Sequence, residues 1–85
     1  MNIKIEIPDY NINSGITYKW ENNFKITVKY SVGQVIINAN KEGLESLANH
    51  FLSIAQDEVP IGFHLHLDEY NSLEEGSTEL IIEKA

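Results

Sequence analysis

Histidine and carboxylate side chains come together at one place in the chain, the run His64-Leu65-His66-Leu67-Asp68. In an extended strand alternate residues share a face about 6.5–7 Å apart, so His64, His66 and Asp68 would project together. Two neutral imidazoles and a carboxylate are a workable ligand set for zinc, which makes a metal-binding enzyme using His64 and His66 one reading of the chain. The plainer reading is the polar outer face of a half-buried strand. The remaining histidine, His50, sits on the solvent side of a helical stretch with no spacing that recruits it, and the chain has neither cysteine nor an H-E-x-x-H pattern. Hydrolytic chemistry has less support: Ser46, Ser53, Ser72 and Ser77 lie outside any G-x-S-x-G turn, and Gly33, Gly43 and Gly62 are too scattered for a phosphate loop. The expectation is no catalytic residue, no metal, no cofactor and no enzyme activity.

The adjoining loop suits binding better. Asp68-Glu69-Tyr70-Asn71-Ser72-Leu73-Glu74-Glu75 sets an aromatic and a leucine among four carboxylates. Tyrosine is a favoured interface anchor, and carboxylates around it would meet lysine or arginine on a partner. Alternatively Tyr70 and Leu73 fold back as a lid on the core. The candidate partner-binding set is His64, His66, Asp68, Glu69, Tyr70, Glu74 and Glu75.

Positioning these residues falls to a sheet and one helix. Leu44, Leu47, Ala48, Phe51, Leu52 and Ala55 recur at steps of three and four, which predicts a helix over 40–56 with that stripe inward. Glu45, Ser46, Asn49, His50, Ser53 and Gln56 would face water. Asn40 is a natural N-cap, and Glu42 suits the positive end of the helix dipole. Everything else periodic alternates with period two. Strands are expected over 2–8, 15–21 and 24–31, through Val35–Ala39, and over 62–68 and 78–84. Pro8-Asp9, Asn22-Asn23 and Val32-Gly33 mark turns, and Pro60 prevents continuation of the helix. The fold class is α+β: a largely antiparallel β-sheet with a single α-helix on one face, in the order β-β-β-β-α-β-β, forming one domain over residues 1–85. One helix about 10 Å wide cannot cover six strands spaced about 4.8 Å apart. The faces bearing Ile16, Tyr18, Trp20 and Phe24 need another cover, either a strongly curled sheet or a second copy of the chain; exposed aromatic stripes usually mark interfaces, so a homodimer through the N-terminal strands is the expectation.

Composition narrows the partners. The chain has 85 residues, six Lys and no Arg against 13 acids, for a net charge of −7. Residues 1–39 hold four Lys and three acids, a net of +1, whereas residues 40–85 hold two Lys and ten acids, a net of −8. Phosphate backbones need clustered Lys or Arg, so nucleic acid is not an expected partner. An acidic surface steers association with a basic protein, although acidity also serves plain solubility. No apolar run suggests a signal peptide or membrane span, and a cytoplasmic protein is the simplest expectation.

From Val35 onward three blocks carry a resemblance: V-I-I-N-A-N-K-E-G-L-E-S-L-A, then H-L-H-L-D, then G-S-T-E-L-I-I-E-K. In this order and with these gaps, residues 35–84 resemble the immunity protein 32 family of bacterial polymorphic-toxin systems. The resemblance implies a non-enzymatic protein that neutralises a cognate toxin by direct binding in the cell that makes both. The motif positions it carries over are Glu42, Gly43 and Leu44, then His64, His66, Leu67 and Asp68, then Gly76, Ser77, Glu79 and Leu80. Residues 1–30 carry no family pattern. A structural or regulatory interaction domain without a toxin is the alternative reading.

Overall fold

The clearest alternation in the sequence becomes a hairpin. In the computed structural model, which describes residues 1–85, β1 (Ile26–Ser31) pairs antiparallel with β2 (Gln34–Ala39), from Ile26 opposite Ala39 to Ser31 opposite Gln34. The two-residue connection holds Val32 at φ 50° and Gly33 at φ 74°, the positive pair that a type I′ turn demands. Glycine meets that demand without cost; a β-branched valine does not. Opposite residues share a face, so Ile26, Val28 and Tyr30 line up with Ala39, Ile37 and Val35.

Asn40 then caps helix α1 (Lys41–Ile54), its Oδ1 accepting from the Gly43 N–H at 2.8 Å and from the Lys25 N–H at 3.0 Å. The cap therefore fastens the helix start to the start of β1 as well. A Cβ on Gly43 would lie 2.7 Å from the Lys25 carbonyl oxygen and 2.9 Å from Ile26 Cγ1, so glycine is what permits this approach. After the helix, β3 (His64–Leu67) pairs antiparallel with β4 (Leu80–Glu83), and the Lys84 N–H donating to the Phe63 carbonyl extends the ladder. Between them the chain returns along the free edge of β1: the Glu74 and Thr78 N–H groups donate to the carbonyls of Ile26 and Val28. The core sits where these parts meet. Ile26, Val28, Leu47, Leu67 and Leu73 are buried together, with Trp20, Phe24, Leu65, Leu80 and Ile82 packed around them. Each fully buried side chain of this kind contributes about 1.5–3 kcal/mol.

Two expectations need correction. The architecture is α+β, but as two separate two-stranded antiparallel sheets, and residues 1–25 contain no strand. The expected strands over 2–8 and 15–21 are absent because helix side chains, not a neighbouring strand, satisfy that backbone. The Asn49 amide donates to the Glu6 carbonyl, and Gln56 donates to the Pro8 carbonyl while accepting from the Tyr10 N–H. The Ser46 hydroxyl accepts from the Glu21 N–H and donates to the Glu42 carbonyl. Asn22-Asn23 does turn, with Asn23 at φ 64°, and the turn stacks Trp20 on Phe24.

The second correction follows from the first. Those hydrogen bonds rotate the helix, so that Ser46, Asn49, His50 and Ser53 are buried beside Leu47 and Ile54. Leu44, Phe51 and Leu52, expected inside, are about half exposed, at 55%, 46% and 47%. Tyr18 and Trp20, expected to need a second copy of the chain as cover, are covered by the helix itself. Tyr18 and Trp20 close on His50, with ring centroids 4.7 and 4.1 Å away.

Candidate functional site

Leu67 is the deepest residue of β3, and its burial turns the alternate residues of that strand outward. His64 and His66 are both exposed, and their rings meet edge-on with centroids 4.9 Å apart. Each imidazole has a neighbour at Nδ1. That of His64 lies 3.0 Å from the Gly62 carbonyl, an acceptor that requires the proton on Nδ1. That of His66 lies 3.3 Å from Glu79 Oε2, an exposed pair that contributes little to stability. No group of three or more His, Asp or Glu side chains is arranged to hold a metal ion.

Asp68 does not extend this face. Its Oδ1 accepts from the N–H groups of Tyr70 and Asn71 at 2.9 and 3.1 Å, forming an Asx turn. Its backbone carbonyl accepts from Leu73, and its N–H donates to Asn71 Oδ1. The Asn71 amide reaches back to the His66 carbonyl at 3.0 Å. Glu69 closes the far side of the loop, its Oε2 accepting from the Gly76 N–H at 2.8 Å. Sequence reasoning overlooked Asn71 as an organiser of the loop and Glu79 as the neighbour of His66. The D-x-Y-N spacing, with Asp two residues ahead of an aromatic N–H, was the available signal for the first.

The consequence is a division of labour. Leu73 enters the core and pins the loop from below, while Tyr70 stands 90% exposed above it. Glu69, Tyr70 and Glu75 line a shallow depression, and Glu74 is exposed alongside. The loop therefore presents an aromatic ring and free carboxylates on a backbone held by side-chain hydrogen bonds. It offers neither a nucleophile with a base nor a deep pocket.

The largest concavity, ≈470 Å³, lies elsewhere, between Ile3, Ile5 and the helix residues Leu44 and Ala48, with Lys19 and Glu45 on its rim. None of the motif residues on β3 or its loop reaches it. His50, expected at the surface, is fully buried, and neither of its ring nitrogens makes a hydrogen bond. Loss of hydration pushes its pKa below the usual histidine value. Burial likewise raises the Tyr18 phenol. His50 is thus a neutral core residue and contributes nothing to the outward face.

The model of the family Immunity protein 32 matches residues 34–85, from the first residue of β2 through both strands of the second sheet. The chain belongs to the immunity protein 32 family. No curated protein and no solved structure matches it. The matched region contains all of the candidate face, whereas β1 and the hydrogen-bonded N-terminal segment precede it. Membership gives the protein an immunity-type function in general terms, with a toxin as the general class of partner. No helix is long and apolar enough to cross a membrane.

Proposed function

We propose that this protein of the immunity protein 32 family neutralises a cognate bacterial toxin by binding it and occluding its working surface, without catalysis of its own. Binding takes place in the cytoplasm of the producing cell, through the face formed by His64, His66, Glu69, Tyr70, Glu74 and Glu75. The observation that carries this reading is Tyr70: a nearly bare aromatic ring on a loop that its neighbours hold rigid. A loop backbone already held in the free protein loses little conformational freedom on binding, which favours affinity. The carboxylates around it, and the excess of ten acids over two Lys in residues 40–85, suit a basic partner. Asp68 belongs to this reading as the residue that shapes the loop, not as a contact.

The test is co-expression with the product of the adjacent gene. The wild-type protein should co-purify with it and restore growth. Tyr70→Ala combined with Glu74→Lys and Glu75→Lys should weaken binding by at least about 30-fold, the range of interface hot spots, with an unchanged melting temperature. His64→Ala and His66→Ala should weaken it less. Unchanged affinity in the triple variant, or no protection by the wild type, would overturn the reading.

A further inference from the structure

β2 has one edge with no partner. Its two-residue turn makes Ser31 and Gln34 the hydrogen-bonded pair that closes the hairpin, and bonded and non-bonded pairs then alternate along the ladder. The N–H and C=O groups of Gln34, Ile36 and Asn38 therefore point at β1. Those of Val35, Ile37 and Ala39 point away from it. On β1 the same alternation turns Ile26 and Val28 outward, where the returning chain meets them: Glu74 and Thr78 donate to their carbonyls, and the Val28 N–H donates to Ser77 Oγ. The outward groups of β2 have no such neighbour. Nothing protects this edge in the usual ways. Its six residues, Gln-Val-Ile-Ile-Asn-Ala, include no charge, no proline and no glycine, and Val35, Ile36 and Ile37 are 60%, 50% and 40% exposed.

We propose that the partner of this edge is β2 of a second copy, paired antiparallel about a two-fold axis at Ile37. The inference goes beyond the immunity reading and does not depend on it. The three outward residues are spaced symmetrically about Ile37. A two-fold there sets Ile37 against its own image and Val35 against Ala39 of the second copy. All outward N–H and C=O groups at the three positions are then satisfied in both copies at once. A foreign strand could use the same edge, but the absence of charge singles out self-pairing. A two-fold at Ile37 sets any charge on this strand within a few residues of the same charge on its copy, so in a molecule of net charge −7 a neutral strand suits self-pairing. A basic toxin would instead seek the acidic face.

Side-chain packing agrees. Opposite residues share a face, so both helices lie on the same side of the joined sheet. The bare row Tyr30–Val35 then continues into Ala39 and Ile26 of the second copy, over which the first turn of that copy's helix passes at Gly43, beside the exposed Leu44. Tyr30, Val35, Ile36, Ile37 and Leu44, all 40–64% exposed, leave apolar surface beside this seam.

The test is the solution mass and a one-cysteine crosslink. The wild-type protein should sediment at micromolar concentration as twice 9.7 kDa. Val35→Lys, at a position already mostly exposed, should raise the dimer dissociation constant by more than 100-fold while leaving the circular dichroism spectrum unchanged. Because the chain has no cysteine, Ile37→Cys provides a single thiol. On the axis, Cα atoms of a bonded pair are about 5.5 Å apart, so a short bismaleimide should link this variant into a dimer in high yield. The same reagent should not link Val35→Cys, whose image lies about four residues farther along the strand. A monomeric wild type, or equal crosslinking of the two variants, overturns the proposal. So does a monomeric wild type whose toxin binding is lost in Val35→Lys, which would give the edge to the toxin.

Discussion

Replacing Gly43 by alanine sets two effects of opposite sign against each other, and the geometry decides between them. In a helix alanine is favoured over glycine by about 1 kcal/mol, less in a first turn, so Gly43→Ala on an isolated helix would stabilise. Here the new methyl would lie 2.7 Å from the Lys25 carbonyl oxygen, 2.9 Å from Ile26 Cγ1 and 3.1 Å from Asn40 Oδ1. Ordinary contact starts near 3.4 Å. The carbonyl must therefore retreat by about 0.7 Å or the helix must lift. Neither move is free. The Lys25 carbonyl accepts from the Asn40 N–H, and Asn40 Oδ1 accepts from both Lys25 and Gly43. Lifting the helix also loosens Leu47 against Ile26 and Val28 in the core. Overpacking of this kind costs about 1–3 kcal/mol and outweighs the propensity gain. Thermal and urea melts should show a net loss of about 0.5–2 kcal/mol, a fall in Tm of roughly 2–16 °C for a domain of this size. A variant that melts at or above the wild-type temperature would show that the helix does not approach β1 as described.

Further outcomes follow from other parts of the fold. Leu47→Asp buries a carboxylate in the core and should abolish cooperative unfolding, whereas Leu52→Ser, on the half-exposed side of α1, should cost less than about 1 kcal/mol in the same melts. His50 has a depressed pKa in the folded protein, so the unfolded chain binds its proton first as pH falls. Its contribution is complete above about pH 6.5 and is lost as pH falls from there toward the depressed folded value; urea midpoints should drop across that window, and His50→Leu should flatten that part of the profile. Val32→Asn places a residue tolerant of positive φ in the type I′ turn at a fully exposed position, and it should raise stability by about 1 kcal/mol in a thermal melt.

Local signals were readable in the sequence, and long-range ones were not. Asn40 announces its cap, and Val32-Gly33 its turn. The alternation through Ile26, Val28 and Tyr30, through His64–Leu67 and through Leu80–Glu83 gives strands where strands occur. Ile3, Ile5 and Ile7 alternate just as well, yet no strand forms. What separates the two cases is the partner: Asn49 and Gln56, more than 40 residues away, take the carbonyls of Glu6 and Pro8 with side chains where a ladder would need a neighbouring strand. The same bonds hid the helix orientation. An apolar stripe predicts which side turns inward only when water is the alternative for the polar side, and here the alternative is a backbone needing donors and acceptors. On the candidate face the outward turn of His64 and His66 was legible from period two. The role of Asp68 was not separated from its charge, because a carboxylate that organises its own loop and one that awaits a partner look alike in a sequence.

The way the N-terminal segment is fastened has a consequence for insertions and deletions. Within β1 or β2, one added residue reverses the side of every later residue in the strand and turns Ile26, Val28 and their mates out of the core. Near Glu6, Pro8 and Tyr10 there is no ladder to be thrown out of phase, and amide side chains can seize the next carbonyl along. Length variation should therefore be tolerated ahead of Ile16 and forbidden between Ile26 and Ala39. One end of the molecule can thus change length at little cost, while the hairpin must keep its count.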